Sequence, residues 1–221
     1  MKIYAINGGP RKTWNTVKML ESFLDGAKSL GAEVEIIHLY DLEYSSCREC
    51  YGCKLKNSNN YGRCIFPDEL KPILNKLYEA DGVVLGSPIY FGEITGQLRA
   101  FLERWFFPFD SHKKGETSLA PKEIPTAIIY TMNETENNMN KFHYLENVST
   151  THLYLHALLG YKPDIIYACN TYEFDDYNKY EASYWNEEEK RKYHKNHFPK
   201  DLNNAYEAGK KMTIKIMEKK K

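Results

Sequence analysis

With 221 residues, 42% hydrophobic and 27% charged, the chain has the composition of a globular protein with enough apolar surface for a single core. Lys plus Arg and Asp plus Glu are equal at 30 each, so no global field draws it to nucleic acid or to an anionic membrane surface. The longest apolar runs, such as Ile124 to Tyr130, fall far short of the roughly 20 residues that span a bilayer, and Met1 leads directly into a strand pattern. Together these predict a cytoplasmic protein.

Lys2 to Asn7 reads as a strand, broken by Gly8-Gly9-Pro10, after which Val17, Leu20, Phe23, Leu24 and Ala27 recur at helical spacing. Gly31 stops that helix and Val34 to Leu39 forms a second strand. Asp41 to Pro67 is polar, irregular and carries four of the five cysteines. Asp68 is placed to cap a helix whose apolar face is Leu70, Ile73, Leu74 and Leu77, and a buried-type strand follows at Gly82 to Gly86. Ser87 to Gly92 is then a loop, and Leu98, Phe101, Leu102 and Trp105 form the stripe of the next helix.

Residues 108 to 123 are a polar excursion before a fourth strand at Ile124 to Thr131 and a helix from about Met139 to Leu159, ended by Gly160. Pro163 to Cys169 supplies a fifth strand. The tyrosine- and charge-rich stretch 171 to 200 leads to a terminal helix carrying Leu202, Ala205, Ala208, Met212 and Ile216, with Lys219-Lys220-Lys221 as its frayed end. Strands alternating with helices predict an α/β three-layer sandwich with a doubly wound parallel sheet, whose ligand sits outside the carboxyl ends of the strands. Residues 1–170 form the expected domain, and 171–221 an extension packed on it.

Asn7 to Thr16 occupies a strand-to-helix junction, where backbone N–H groups and the helix dipole favour an anion. Its glycines allow close approach, Arg11 offers a guanidinium fork, and Asn15 with Thr13 or Thr16 can donate to phosphate oxygens. The plainer reading is a tight turn with Thr13 capping the helix. The loop matches neither the GxGxxG nor the GxxxxGK[ST] pattern, so a monophosphate suits it better than a dinucleotide or ATP. Ser87 to Gln97 puts Tyr90 and Phe91 on a loop at a strand's carboxyl end, suited to a flat apolar ligand, unless both are ordinary core aromatics.

Taken in order, Asn-Gly-Gly-Pro-Arg-Lys-x-x-Asn-Thr (7 to 16) and Ser-Pro-Ile-Tyr-Phe-Gly-x-x-Thr-Gly-Gln-Leu-Arg-Ala-Phe-x-x-Arg (87 to 104) resemble the NADPH-dependent FMN reductase and iron–sulfur flavoprotein branch of the flavodoxin-like superfamily. The resemblance is good over residues 1 to about 105. It implies a flavodoxin-like five-stranded parallel sheet in order 2-1-3-4-5. It also implies FMN, with the phosphate on Gly9, Arg11, Asn15 and Thr16 and the ring on Pro88, Ile89, Tyr90, Phe91 and Gly92. The loop Thr131-Met132-Asn133 would close the far side. Gly9 stands where the family more often has serine. The implied function is electron transfer from NAD(P)H, or a protein donor, through FMN to a small-molecule or protein acceptor, with no side chain given a catalytic role. A homodimer or homotetramer is expected from the excursions 105 to 123 and 171 to 200 and from the resemblance.

Cys47-x-x-Cys50-x-x-Cys53 with Cys64 supplies four thiolates, the number a cubane cluster takes; zinc or plain thiols are the other readings. A [4Fe–4S] cluster here would make the chain an electron-transfer flavoprotein without a small substrate. Against it, the ten-residue gap before Cys64 is polar, longer than usual in the family, and would cost about 1 to 2 kcal/mol per residue to order, which favours plain thiols. Cys169 reads as an inert core thiol. His152 and His156 lack a third ligand and read as helix surface.

Overall fold

The computed structural model describes residues 1–219; Lys220 and Lys221, the end of the lysine run, lie outside the described residues. The sheet is built from β1 (Lys2–Asn7), β2 (Glu33–His38), β3 (Gly82–Tyr90), β4 (Glu93–Ile94), β5 (Thr126–Thr131) and β6 (Asp164–Ala168). The helices are α1 (Asn15–Lys28), α2 (Leu70–Tyr78), α3 (Gly96–Phe109), α4 (Glu136–Lys141), α5 (Tyr144–Leu159) and α6 (Glu187–Lys219). Five strands pair in parallel in the order β2-β1-β3-β5-β6, and β4 adds a short antiparallel partner to the end of β3. With β4 set aside, the major strands run 2-1-3-4-5 as expected. Among the described residues no helix is long and apolar enough to cross a membrane.

Alternation along the strands assigns side chains to two cores. Tyr4 and Ile6 join Leu70, Leu74, Leu98, Phe101 and Leu155 beneath α2, α3 and α5. Ile3 and Ala5 join Leu20, Phe23, Ala205 and Met212 beneath α1 and α6. The central strand β1 is therefore apolar on both faces, as a sheet covered by helices requires.

Four details depart from the sequence reading. The third strand runs on through the expected loop to Tyr90, because Ile89 and Tyr90 pair with Ile94 and Glu93. The single helix expected from Met139 is broken between α4 and α5, where His143 takes a left-handed φ of 55°. Asp68 is not the residue adjoining α2, which starts at Leu70 behind Glu69, a residue without a capping bond; the Asp68 carboxylate pairs chiefly with Arg104 at 2.7 Å and also accepts from the Leu70 N–H. Finally, α6 begins at Glu187, well before its apolar stripe. Glu187, Glu188 and Glu189 suit the positive end of its dipole, and Arg191–Glu187 and Lys192–Glu188 pair at i,i+4.

Helices α1 and α6 meet backbone to backbone. A Cβ at Gly26 would stand 2.0 Å from the Tyr206 carbonyl oxygen, and one at Gly209 would stand 1.9 Å from that of Phe23. Neither obstacle is a flexible side chain. Gly26→Ala and Gly209→Ala should each cost about 1–3 kcal/mol of stability in urea titrations, whereas Gly96→Ala, which enters open space, should change it by less than about 0.5 kcal/mol.

Candidate functional site

The first loop is shaped by a buried asparagine that the motif reading left without a role. Asn7 Oδ1 accepts from the Gly9 N–H at 3.0 Å while its Nδ2 donates to the Gly9 carbonyl at 2.9 Å and to His38 Nδ1 at 3.1 Å. Burial lowers the His38 pKa, in keeping with a neutral ring whose Nδ1 accepts. A Cβ on Gly9 would meet Pro88 Cδ at 3.1 Å, so a serine here would have to displace the neighbouring loop by a few tenths of an ångström. The residue preceding α1 is Trp14, with no side-chain cap and no acid in the first turn; Thr13 caps nothing. Among the described residues, the backbone N–H groups of Arg11, Lys12, Thr13, Asn15 and Thr16 meet no hydrogen-bond acceptor. An unfilled helix start of this kind is the arrangement that accepts an anion.

The second wall is the β3–β4 hairpin. Phe91 and Gly92 form its two-residue loop, with φ of 53° and 81°, the primed-turn geometry that follows the twist of the strands. Gly92 adopts this freely; Phe91 does so at a steric cost of about 1–2 kcal/mol and with its ring fully exposed. Thr95 locks the hairpin to the first loop. Its Oγ1 donates to the Gly8 carbonyl at 2.6 Å and accepts from the Leu98 N–H at 3.2 Å, while its N–H donates to Ser87 Oγ at 3.1 Å.

Between these walls lies a cleft lined by Gly9, Arg11, Asn15, Thr16, Pro88, Ile89, Tyr90 and Thr131, together with Trp14, Met132, Asn133, Thr171, Tyr172 and Glu173. Eight of the ten sequence-named residues converge here. Phe91 and Gly92 do not line it, because the turn carries them past its rim. Thr16 and Thr131 share a 2.7 Å hydroxyl hydrogen bond on the floor. Across the mouth runs the segment after β6: Asn15 Nδ2 and Trp14 Nε1 donate to the Tyr172 carbonyl at 2.7 and 2.9 Å, and Arg11 donates to that of Glu173 at 2.5 Å. Tyr172 and Glu173 were missed by motif reading. Their position just past the carboxyl end of the fifth strand was the available signal.

A second, narrow cleft is lined by Cys47, Cys50, Cys53 and Cys64 with Phe66, Arg104 and Phe107. All four cysteines are free thiols, and burial raises the Cys53 pKa. Among the described residues no group of three or more His, Cys, Asp or Glu is placed to hold a metal ion. The gap between Cys53 and Cys64 is not a loose excursion. The Gly62 N–H donates to the Cys53 carbonyl at 2.9 Å, the Cys64 N–H to Tyr78 Oη at 3.1 Å, and Lys54 Nζ to the carbonyls of Pro108 and Asp110. Cys169 lies buried in the core, its pKa pushed up to about 12 by burial, and His152 is bonded to Tyr130 Oη at 2.8 Å.

The family model for NADPH-dependent FMN reductases matches residues 1–129, more than half of the chain. The chain belongs to that family. An iron-sulfur flavoprotein of Archaeoglobus fulgidus is 43% identical over 104 residues, which are 47% of this chain and 48% of that protein. One of Methanocaldococcus jannaschii is 38% identical over 104 residues, 47% of this chain and 51% of the other. These matches span about half the length of the curated relatives. The fold is shared with the NAD(P)H:quinone oxidoreductase of Methanothermobacter marburgensis, at a TM-score of 0.66 and 16% identity over 95% of this chain and 96% of that one.

The family match stops before β5 is complete, so Thr131 to Asn133 and Thr171 to Glu173 come from chain beyond it. Lys190 of α6 ties these two segments together: its buried Nζ donates to the Asn133 carbonyl at 2.9 Å and to Asn170 Oδ1 at 2.8 Å. Burial pulls its pKa down to about 8, against the opposite pull of Glu134 and Glu173. Between about pH 8 and the ordinary value of 10.5 the unfolded chain therefore binds more protons at this residue, and stability contributed by it rises with pH. The difference in urea-unfolding free energy between wild type and Lys190→Met should shift toward the wild type from pH 8 to pH 10; a flat difference would contradict this.

Proposed function

We propose that the chain is an FMN-dependent oxidoreductase taking electrons from NAD(P)H, or from a protein donor, to a small-molecule or protein acceptor. The chief support is the uncapped start of α1, whose acceptor-free N–H groups border the same cleft as Pro88, Ile89 and Tyr90. Bound FMN would supply hydride and single-electron chemistry. In this reading Gly9, Arg11, Asn15 and Thr16 hold the phosphate through backbone N–H groups, a guanidinium, an amide and a hydroxyl. Pro88, Ile89 and Tyr90 form one wall for the ring, and Thr131, Met132 and Asn133 the other. The segment 171–173 shields the phosphate end from water, and its carbonyls compete with phosphate oxygens for Arg11 and Asn15. The extension from residue 171 thus serves the domain it packs on. Phe91, strained and fully exposed beside the cleft, supports a homodimer or homotetramer in which a partner covers that tip.

The phosphate assignment is tested by comparing two ligands. Arg11→Ala with Asn15→Ala should weaken FMN at least tenfold, since a charge-assisted bond is worth about 1.5–3 kcal/mol, yet leave riboflavin within about twofold. Equal weakening of both would refute it.

A second reading adds a [4Fe–4S] cluster on Cys47, Cys50, Cys53 and Cys64. It is supported by the convergence of all four on one cleft, by the ordered Cys53–Cys64 gap, which removes the entropic objection, and by relatives named iron-sulfur flavoproteins. Anaerobically purified protein should then contain about four iron atoms per chain. Each single Cys→Ser change among the four should lose iron and keep FMN. Iron-free wild-type protein would return the loop to plain thiols.

A further inference from the structure

Arg104 sits on α3 with 2% of its surface exposed and aims its whole donor fork into the cysteine loop. Nε donates to Cys64 Sγ at 3.0 Å, Nη1 to Asp68 Oδ2 at 2.7 Å and to the Ser45 carbonyl at 3.0 Å, and Nη2 to Asp68 Oδ1 at 3.1 Å. The guanidinium carbon lies 5.2 Å from the centroid of the Phe66 ring. A neutral thiol is a poor acceptor, and a buried guanidinium has little reason to give it a donor at this distance. A thiolate is a strong acceptor, and ligation to a metal centre would keep Cys64 in that form.

We propose that Arg104 is a positioning residue for the cluster of the second reading, on which this inference rests. It fixes the Cys64 sulfur and raises the reduction potential of the cluster, while Asp68 sets how much guanidinium charge the sulfur experiences. Reduction adds one electron, and part of the added negative charge falls on the thiolates. A donor and a positive charge beside one of them therefore favour the reduced form. The Asp68 carboxylate offsets part of that charge from the other side of the fork.

Two variants separate this role from mere loop support: Asp68→Asn and the double variant Arg104→Met with Asp68→Asn. Each is purified anaerobically, assayed for iron, sulfide and FMN, and titrated with dithionite while the cluster is followed by EPR. Asp68→Asn should raise the midpoint above wild type. The double variant should fall below Asp68→Asn by at least a tenfold change in the reduction equilibrium constant, about 59 mV for one electron, with FMN content unchanged. General loosening of the loop does not produce shifts of opposite sign. Should the double variant lose its iron while keeping FMN, Asp68→Asn alone decides, a raised midpoint supporting the inference and an unmoved one overturning it. Loaded clusters in which Asp68→Asn leaves the midpoint unraised, or in which the double variant does not fall below Asp68→Asn, overturn the role of Arg104 and leave the cluster reading intact. Absence of iron and sulfide from the wild type removes both.

Discussion

One buried threonine holds the functional end of the molecule together. Thr95 joins the carbonyl of Gly8, the hydroxyl of Ser87 and the first turn of α3 in a knot of three hydrogen bonds, at a place where any donor left unpaired would cost about 1–3 kcal/mol. The first loop and the hairpin therefore cannot separate without breaking it. Gly8 tolerates the approach because it has no Cβ; one added there would stand 2.7 Å from Leu98 Cβ. The cleft between the two loops is thus set from behind, by residues that do not line it.

The same knot aims α3. Arg104 lies nine residues beyond Thr95, roughly 13 Å along the axis at the α-helical rise, so a rigid element that starts at the hairpin delivers a guanidinium to the cysteine cleft. Asp68, the expected helix cap, is held chiefly by this guanidinium. A bidentate carboxylate partner for the buried Arg104 outweighs a helix cap worth about 1 kcal/mol, because a buried guanidinium left unpaired would cost far more. Ordering of the cysteine loop likewise depends on the body of the protein: Tyr78 and the carbonyls of Pro108 and Asp110 tie it down, and the entropic cost is met by the fold.

Chain beyond the family match completes the first cleft. Asn133 Nδ2 donates to the Glu173 carboxylate at 2.6 Å, Lys190 anchors the Asn133 carbonyl, and Tyr172 packs at a tilt against His194, with ring centroids 4.8 Å apart. The long helix α6 therefore does more than cover the sheet. It joins the segment after β6 to the loop after β5, and both border the positions proposed for the flavin.

Local chemistry in the sequence was sufficient for the parallel sandwich, because alternating apolar runs and Gly-rich junctions encode elements within a few residues of one another; the strand order came from the resemblance of the two loop motifs. The same resemblance named Gly9, Arg11, Asn15, Thr16, Pro88, Ile89, Tyr90 and Thr131, and they become neighbours because all lie at carboxyl ends of strands that the topology brings to one edge. What the sequence could not decide depends on partners distant in the chain. Asn7 needs Gly9 and His38 together, Arg104 needs Cys64 and Asp68, and the carbonyls of Tyr172 and Glu173 act only because they meet Arg11 and Asn15 about 160 residues away. Phe91 shows the limit most clearly: its residue type suggested a stacking aromatic, but a two-residue turn pointed it away from the cleft. The polar Cys53–Cys64 gap read as floppy for the same reason, since composition records the cost of ordering a segment and only tertiary structure supplies the hydrogen bonds that offset it.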